Sequence, residues 1–479
     1  MTKSKDIKNI LVFSNGSFGD GSIAETVIKE LRSITDKREY NEYNEYNIVY
    51  IANDASVIPG GIKPSHVYKT PASLFNDPMV SPADSSKTLS TYFFTHMFDV
   101  KSIIDWATSM KQLMREMYEL YSPHKVILHF SMLSIAMRVE YENPGFLQLD
   151  KIPLFLFYYV PGFPNKSIPW IFDGRLRERD YQLYSKDKES KKIILDSWDK
   201  ILDRFTFSPV SLFTTEERKR FSLSFLKKVH YLTMWPESLI PEIKNLVPGM
   251  KVTNVGLNMS TPLQKGKPKL PKEIRDFLKR TQRPTVFISF GSFAKFLHLR
   301  ALIPYMVEKL SATHSTIVHK TWKDEENKNK NDKICSKIHS YSQPSEQHPL
   351  CLVYDGFVSY DLIAPEVSLI IGSGSLGLQS FSFKHKKPMI MTPILTEQYY
   401  WSKNYEYLTG VPYVDIVEVH SHPISLQIEN ALDKIYGDGY KNNSRTVYRE
   451  KVTDFLERVS REMKARDDLM LAKTVMKSG

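Results

Sequence analysis

Two stretches of this chain carry residue types and spacings that could do chemistry. The first runs from Val358 to Trp401. An apolar run at 367–371 leads into Gly372-Ser373-Gly374-Ser375-Leu376-Gly377, and a second apolar run at 388–391 leads to Glu397-Gln398-Tyr399-Tyr400-Trp401. The pattern predicts strand, glycine-rich turn, helix, strand and polar loop. Such a unit sets backbone N–H groups and a helix N-terminus over one crevice, where an anionic group can sit. Ser373, Gly374, Ser375 and Gly377 form the nest of amides. Glu397 and Gln398 offer acceptors and an amide donor suited to sugar hydroxyls. A diphosphate on one side and sugar hydroxyls on the other is what a nucleotide-sugar site requires, so sugar transfer leads the functional reading.

The second stretch is Gly16-Ser17-Phe18-Gly19-Asp20-Gly21-Ser22, directly after an apolar strand at 8–14. Its glycines permit tight backbone geometry. A carboxylate held at that strand end could take a proton from an acceptor hydroxyl. Equally, Asp20 could cap the helix that starts near Ser22, where its charge suits the dipole. Phe290-Gly291-Ser292 closes another strand. Gly291 would let a ligand approach the backbone and Ser292 could bond a phosphate oxygen, although an ordinary strand-to-helix turn reads the same way. His129 ends a buried strand and either lines an acceptor pocket or is a satisfied structural residue. Trp322 could lie against a base or pack, and Trp401 could stack beside Glu397 and Gln398 or belong to a core. No HExxH, paired CxxC or P-loop lysine motif is present, so metal-dependent hydrolysis and Walker-type ATP chemistry have no support and no metal ligands are expected.

These residues need elements to hold them. Apolar runs at 8–14, 47–52, 125–130 and 152–159 read as strands of a first half, and runs at 285–289, 316–320, 351–354, 367–371 and 388–391 as strands of a second. They are nearly continuous rather than alternating, as in parallel strands buried on both faces. Ile23, Val27, Ile28 and Leu31 recur at helical spacing. The proline-bearing stretch 236–272 reads as a linker, the polar stretch 323–349 as a surface loop, and 444–476 as a long helix that needs a partner surface. The expected organisation is an acceptor-binding Rossmann-like domain at 1–235, a linker at 236–275, a nucleotide-sugar-binding Rossmann-like domain at 276–443, and a helix at 444–479 packing back on the first domain. Ligands of such open sheets bind beyond the carboxyl ends of the strands.

Composition sets the frame. A chain of 479 residues suggests two to three domains, and 42% hydrophobic with 25% charged residues is a globular balance. The two cysteines, Cys335 and Cys351, cannot build a disulfide framework and fit a reducing compartment. The polar opening residues do not read as a secretory signal, and the longest apolar run, 152–160, falls short of the ~20 residues that span a bilayer. A cytoplasmic protein is expected. The net charge of +11 is either a solvated lysine-rich surface or a source of attraction to anionic membranes or nucleic acid. Its scatter along the chain argues against nucleic acid and leaves peripheral contact with a membrane surface open.

Gly16-Ser17-Phe18-Gly19-Asp20 resembles the GSxGD motif that opens sterol glucosyltransferases and the related glycopeptide-antibiotic glucosyltransferases, within the UDP-glycosyltransferase superfamily. Pro153, Pro161, Pro164 and Pro169 resemble their proline-punctuated strand region, 234–236 and 252–256 the segment that leads into their linker, and 355–358 through Pro365 the stretch before their glycine turn. Glu397, Gln398 and Trp401 correspond to their DQPxW motif. The combination spans most of the chain. The resemblance implies a GT-B fold: two Rossmann-like parallel-sheet domains facing each other across a cleft, with a C-terminal helix. It also implies inverting, metal-independent transfer of a hexose from a UDP-sugar, UDP-glucose foremost, to a hydroxyl of an apolar, sterol- or lipid-like acceptor, with no cofactor beyond that co-substrate. Asp20 would be the general base. Ser292 and the amides of 373–377 would stabilise the leaving diphosphate, Val358 would meet the base through its backbone, and Glu397 and Gln398 would hold the sugar. Ser17, Phe18, Phe94, Met97, His129 and Trp401 would line the acceptor pocket. Two positions depart from the family: its phosphate-binding histidine is Ser373 here, and its threonine or serine after the second glycine is Leu378. Each lost hydrogen bond to a charged group costs about 1.5–3 kcal/mol. Other groups compensate, or the donor differs, or activity is lost.

Overall fold

The computed structural model describes residues 7–14, 18–35, 46–54, 57, 61–69, 100–158, 216–239, 249–256, 269–291, 297–320, 351–356, 358–393, 396–415, 423–437, 448–466 and 469–478. The chain forms two compact units. Unit 1 takes residues 1–76, 91–262 and 465–479; unit 2 takes 77–90 and 263–464.

In unit 1 the strand β1 (Lys8–Ser14) feeds helix α1 (Phe18–Thr35), followed by β2 (Tyr46–Asn53), β3 (His66–Tyr68), α2 (Val100–Tyr121), β4 (Lys125–His129), α3 (Leu133–Glu142), β5 (Leu154–Tyr158), α4 (Glu216–Lys228), β6 (Val229–Thr233) and β7 (Lys251–Asn254). The seven strands make one sheet in the order β3-β2-β1-β4-β5-β6-β7, parallel at every pairing. Ile10 to Phe13 have no exposed surface, which is why the central strand carries an unbroken apolar run. On α1, Ile23, Ala24, Val27, Ile28, Leu31 and Ile34 are buried at the three- and four-residue spacing of one helix face. The edge strands β3 and β7 have mixed, partly exposed patterns, and β7 falls inside the stretch 236–275 that composition marks as a linker. An edge strand has a neighbour on one side only and needs no apolar run.

Unit 2 contains α5 (Lys272–Arg280), β8 (Thr285–Ser289), α6 (Leu297–Ser311), β9 (Ser315–His319), β10 (Cys351–Tyr354), α7 (Tyr360–Ile363), β11 (Leu369–Gly372), α8 (Leu376–Lys384), β12 (Met389–Met391), α9 (Thr396–Thr409), α10 (Ile424–Tyr436) and α11 (Glu450–Ala465). Its sheet is β10-β9-β8-β11-β12, again wholly parallel.

The single helix expected over 444–476 is two. α11 belongs to unit 2, and α12 (Met470–Lys477) belongs to unit 1, where it lies against α1 and buries Leu471, Ala472, Val475 and Met476. Between the two helices Arg466 donates to the Val255 carbonyl and pairs with Glu30 at 2.8 Å, the two side chains being 5% and 7% exposed. Burial lifts the Glu30 carboxyl above its ordinary pKa, against the pull of Arg466 and the amides of Ala472 and Leu471. No helix among the described residues is long and apolar enough to cross a membrane.

Candidate functional site

Unit 2 has a topological switch point. The chain steps outward from β8 through β9 to β10, then crosses to β11 on the other side of β8. The ends of β8 and β11 lie side by side, with Ser289 opposite Gly372. Open parallel sheets bind ligands in the crevice beyond such a point.

Glycine shapes this edge. A Cβ on Gly372 would lie 2.5 Å from the Ser289 carbonyl oxygen and 2.3 Å from Leu378 Cδ2. Only glycine lets the strands approach so closely while Leu378 packs over them. Gly374 holds φ at +74°, a conformation that side chains resist, and its carbonyl accepts a 2.6 Å hydrogen bond from the buried Gln379 amide. Ser375 is the extended N-cap of α8 and makes no capping bond through its side chain, so that residue's hydroxyl does not occupy the first-turn amides. Gly377 lies in that turn and Ser373 is buried just before it. Gly291, at the exit of β8, has φ +55°, and a Cβ there would meet none of the described residues within 4 Å. Leu378 is 4% exposed, so its side chain belongs to the core rather than to the mouth of the turn.

The structure treats the other candidates differently. Val358 is buried beside the start of α7. Glu397 and Gln398 form the first turn of α9 rather than a loop, and Gln398 is buried. Trp401, one turn further, is 1% exposed; it is part of the unit 2 core and offers no face to an acceptor. In unit 1 Phe18 and Asp20 lie in the first turn of α1, so the helix begins before Ser22. His129 is buried, its ring edge-on to Phe157 at 5.3 Å and tilted against Phe130 at 4.6 Å. Ser17, Phe94, Met97, Ser292 and Trp322 lie outside the described residues, as do the side chains of Phe18, Asp20 and Glu397.

One group of residues at this edge has no counterpart in the sequence reading. Ser289 Oγ lies 3.1 Å from His319 Nδ1 and 2.7 Å from the Tyr360 hydroxyl. His319 Nε2 lies 3.2 Å from the Gly356 carbonyl. Burial pushes the His319 pKa down to about 4, although the Gly356 carbonyl works the other way. Nothing in the spacing of residues 289, 319 and 360 joins them; only the strand order does. Among the described residues no group of three or more His, Cys, Asp or Glu could hold a metal ion.

No protein-family model matches the chain, and no curated protein matches it in sequence. Solved structures do match. The chain is similar to the glycotransferase of kitacinnamycin, with a TM-score of 0.58 over 98% of each chain at 14% identity. It is similar to the spinosyn rhamnosyltransferase SpnG, at 0.54 over 98% of this chain and 100% of that one with 11% identity. The calicheamicin glycosyltransferase CalG4 gives 0.54 over 98% and 97%, also at 11% identity. SpnG has also been solved with the spinosyn aglycone and with thymidine diphosphate. At these identities the likeness is one of fold: the two parallel sheets described above are those of the GT-B architecture.

Proposed function

We propose that this protein is a glycosyltransferase that moves a sugar from a nucleoside-diphosphate sugar to a hydroxyl of an apolar small molecule. The observation that carries the reading is the switch point of unit 2, where a glycine-built turn and a helix N-terminus without a side-chain cap meet the end of β8. Such an edge suits a diphosphate, because backbone amides and the helix dipole favour negative charge there. Support also comes from SpnG, a protein of like fold solved with thymidine diphosphate and with an aglycone.

In this reading Asp20 is the base. The acceptor oxygen attacks the anomeric carbon and gives its proton to the Asp20 carboxylate. The bond from that carbon to the diphosphate oxygen breaks, and the nucleoside diphosphate leaves with the electron pair, its charge met by the amides of 373–377 and by Ser292. One displacement inverts the anomeric centre. A UDP-hexose, glucose foremost, is the donor that the motif resemblance favours, and a sterol- or lipid-like alcohol the acceptor. Ser373 and Leu378 remove side-chain donors but leave the main-chain nest, so the diphosphate is held by backbone. Those same two residues favour a second reading, a GT-B protein that binds a ligand or partner without transferring sugar.

The test is a titration of UDP, TDP and their sugars by calorimetry, followed by nucleoside-diphosphate release with an apolar alcohol, in the native chain and in Asp20→Asn. Expected is donor binding unchanged by the substitution and turnover reduced roughly 10²–10⁴-fold, the worth of a positioned general base. Absence of nucleotide binding would favour the second reading. Full turnover in Asp20→Asn would remove Asp20 from the role of base.

A further inference from the structure

We propose that His319 is a positioning residue: with Ser289 and Tyr360 it fixes Gly356 and the start of α7 at the carboxyl edge of the unit 2 sheet, and through them the shape of the nucleotide site. The second half of this statement rests on reading unit 2 as the donor unit.

The argument begins with protons. The Gly356 carbonyl can only accept, so His319 Nε2 carries the hydrogen. A neutral imidazole has one N–H, so Nδ1 accepts, and the Ser289 hydroxyl must donate to it. The Ser289 oxygen then accepts from the Tyr360 hydroxyl. The chain of bonds runs in one direction, from Tyr360 through Ser289 and His319 to Gly356. It requires the neutral ring, and burial keeps the ring neutral at physiological pH.

Packing admits one ring orientation. Phe287 stacks on His319 at 5.9 Å and 24°, and Tyr360 stands edge-on to it at 6.0 Å and 88°. Tyr360 is in turn edge-on to Phe287 and Phe381. Apolar side chains would fill such a place with no desolvation cost, whereas buried polar groups cost free energy unless each is partnered. A fully partnered network rigidifies its surroundings and specifies one arrangement. Here the constraint falls on Gly356 and the start of α7. The Lys320 amide holds the Tyr354 carbonyl at 2.7 Å, His319 holds Gly356, and Ser289 holds Tyr360. A Cβ at Gly356 would lie 2.3 Å from the Tyr354 hydroxyl, so a side chain there would displace that ring. The same residues close the strands that lead, three positions on in the sequence, to Ser292 and Trp322. One chain of hydrogen bonds thus ties the last residues of β8 and β9 to Gly356 and to α7.

The test uses the full chain with His319→Leu, His319→Gln, Tyr360→Phe and Ser289→Ala. Ring ¹⁵N shifts should report the Nε2–H tautomer in the native protein. Hydrogen exchange at the Val358 and Ser359 amides, without ligand, should rise about tenfold in His319→Leu, the equivalent of one lost hydrogen bond. Dissociation constants for UDP and TDP should rise by a similar factor, and Tm should fall with them, because the Gly356 carbonyl and the Ser289 hydroxyl lose a partner. His319→Gln, which can still accept and donate, should recover most of both protection and affinity. Tyr360→Phe, a milder change if the histidine variants fold poorly, should raise exchange about two- to threefold. A Tm loss with unchanged exchange and affinity would mark a merely structural residue and overturn the proposal, as would the Nδ1–H tautomer. If the native chain binds no nucleotide, the donor reading fails, while exchange and tautomer still decide whether His319 holds Gly356 and α7.

Discussion

The carboxyl edges of the two sheets share a plan and differ in what fills them. In unit 1 the order reverses between β1 and β4, in unit 2 between β8 and β11. At the unit 1 edge, rings occupy the space: the Tyr68 hydroxyl donates to the Ser14 carbonyl at 2.7 Å, the Tyr50 hydroxyl lies 3.2 Å from Ser14 Oγ, and His129 sits among Phe130 and Phe157. At the unit 2 edge, glycines let main chain pack closely at 372 and turn through positive φ at 291 and 374, and Thr392 ties the Gly372 carbonyl through both its amide and its hydroxyl. Topology supplies the place for a ligand in both units. Side-chain volume differs between them: glycine turns at one edge, aromatic rings at the other. That division agrees with the proposed donor and acceptor roles.

The units also differ in how they close. Unit 1 is completed by the returning segment 465–479, through α12 and the Arg466–Glu30 pair; unit 2 has no such dependence on Arg466. Arg466→Ala leaves the Glu30 carboxylate buried without its cation, and breaking such a pair costs about 3–5 kcal/mol. Amide exchange in β1 and β4 should accelerate accordingly while β8 and β11 keep their protection. Equal loss in both sheets would mean that the units do not respond separately. Replacing the pair together, by Arg466→Met with Glu30→Leu, should recover most of the stability, because well-packed apolar residues often replace a buried ion pair without loss.

Within unit 2 two glycines sharpen the contrast between a packed strand end and an open one. Gly372→Ala forces a methyl against the Ser289 carbonyl and Leu378, and overpacking of this kind costs about 1–3 kcal/mol. Gly291→Ala meets none of the described residues within 4 Å and bears the left-handed backbone penalty, about 1–2 kcal/mol. Urea midpoints for the two variants should fall in that order. The reverse order would show that the close approach of β8 and β11 relaxes cheaply.

Strands with an unbroken apolar run were legible, since burial on both faces leaves one: β1, β4 and β8 lie where the runs at 8–14, 125–130 and 285–289 put them. The internal β6, Val-His-Tyr-Leu-Thr, was missed because His230 interrupts its run. β3 and β7 were not legible either, because an edge strand such as Lys-Val-Thr-Asn is half exposed and carries no such run. The glycine turn was legible because glycine spacing is itself the signal. The α9 start was mistaken for a loop because the polar residues after the run at 388–391 carry no apolar signal. The helical signal is the burial of Gln398, Trp401 and Tyr405 at three- and four-residue steps, which depends on the partner surface. Ser289, His319 and Tyr360 could not be joined from sequence at all, since they become neighbours only once β9 lies beside β8.

The smallest expected effect concerns the outer face of unit 1. Glu142 on α3 receives Lys111 at 2.8 Å and Arg115 at 2.9 Å from α2, and Arg138 at 2.7 Å from its own helix. Burial alone would raise its pKa, but the hydrogen bonds and charges of Lys111 and Arg138 prevail and hold it at about 2. An unfolded glutamate titrates near 4.3, so the folded state binds this proton less readily than the unfolded one. The stability Glu142 adds is therefore complete above about pH 4.3 and disappears as pH falls toward 2. All four side chains keep contact with water, which limits the contribution to about 1 kcal/mol or less. Glu142→Gln should lower the neutral-pH Tm by a degree or two and make the acid limb of a Tm-against-pH curve shallower between pH 4 and 2. An unchanged limb would mean that the three cations are held by solvent rather than by this carboxylate, and that α2 and α3 are joined by their apolar faces alone.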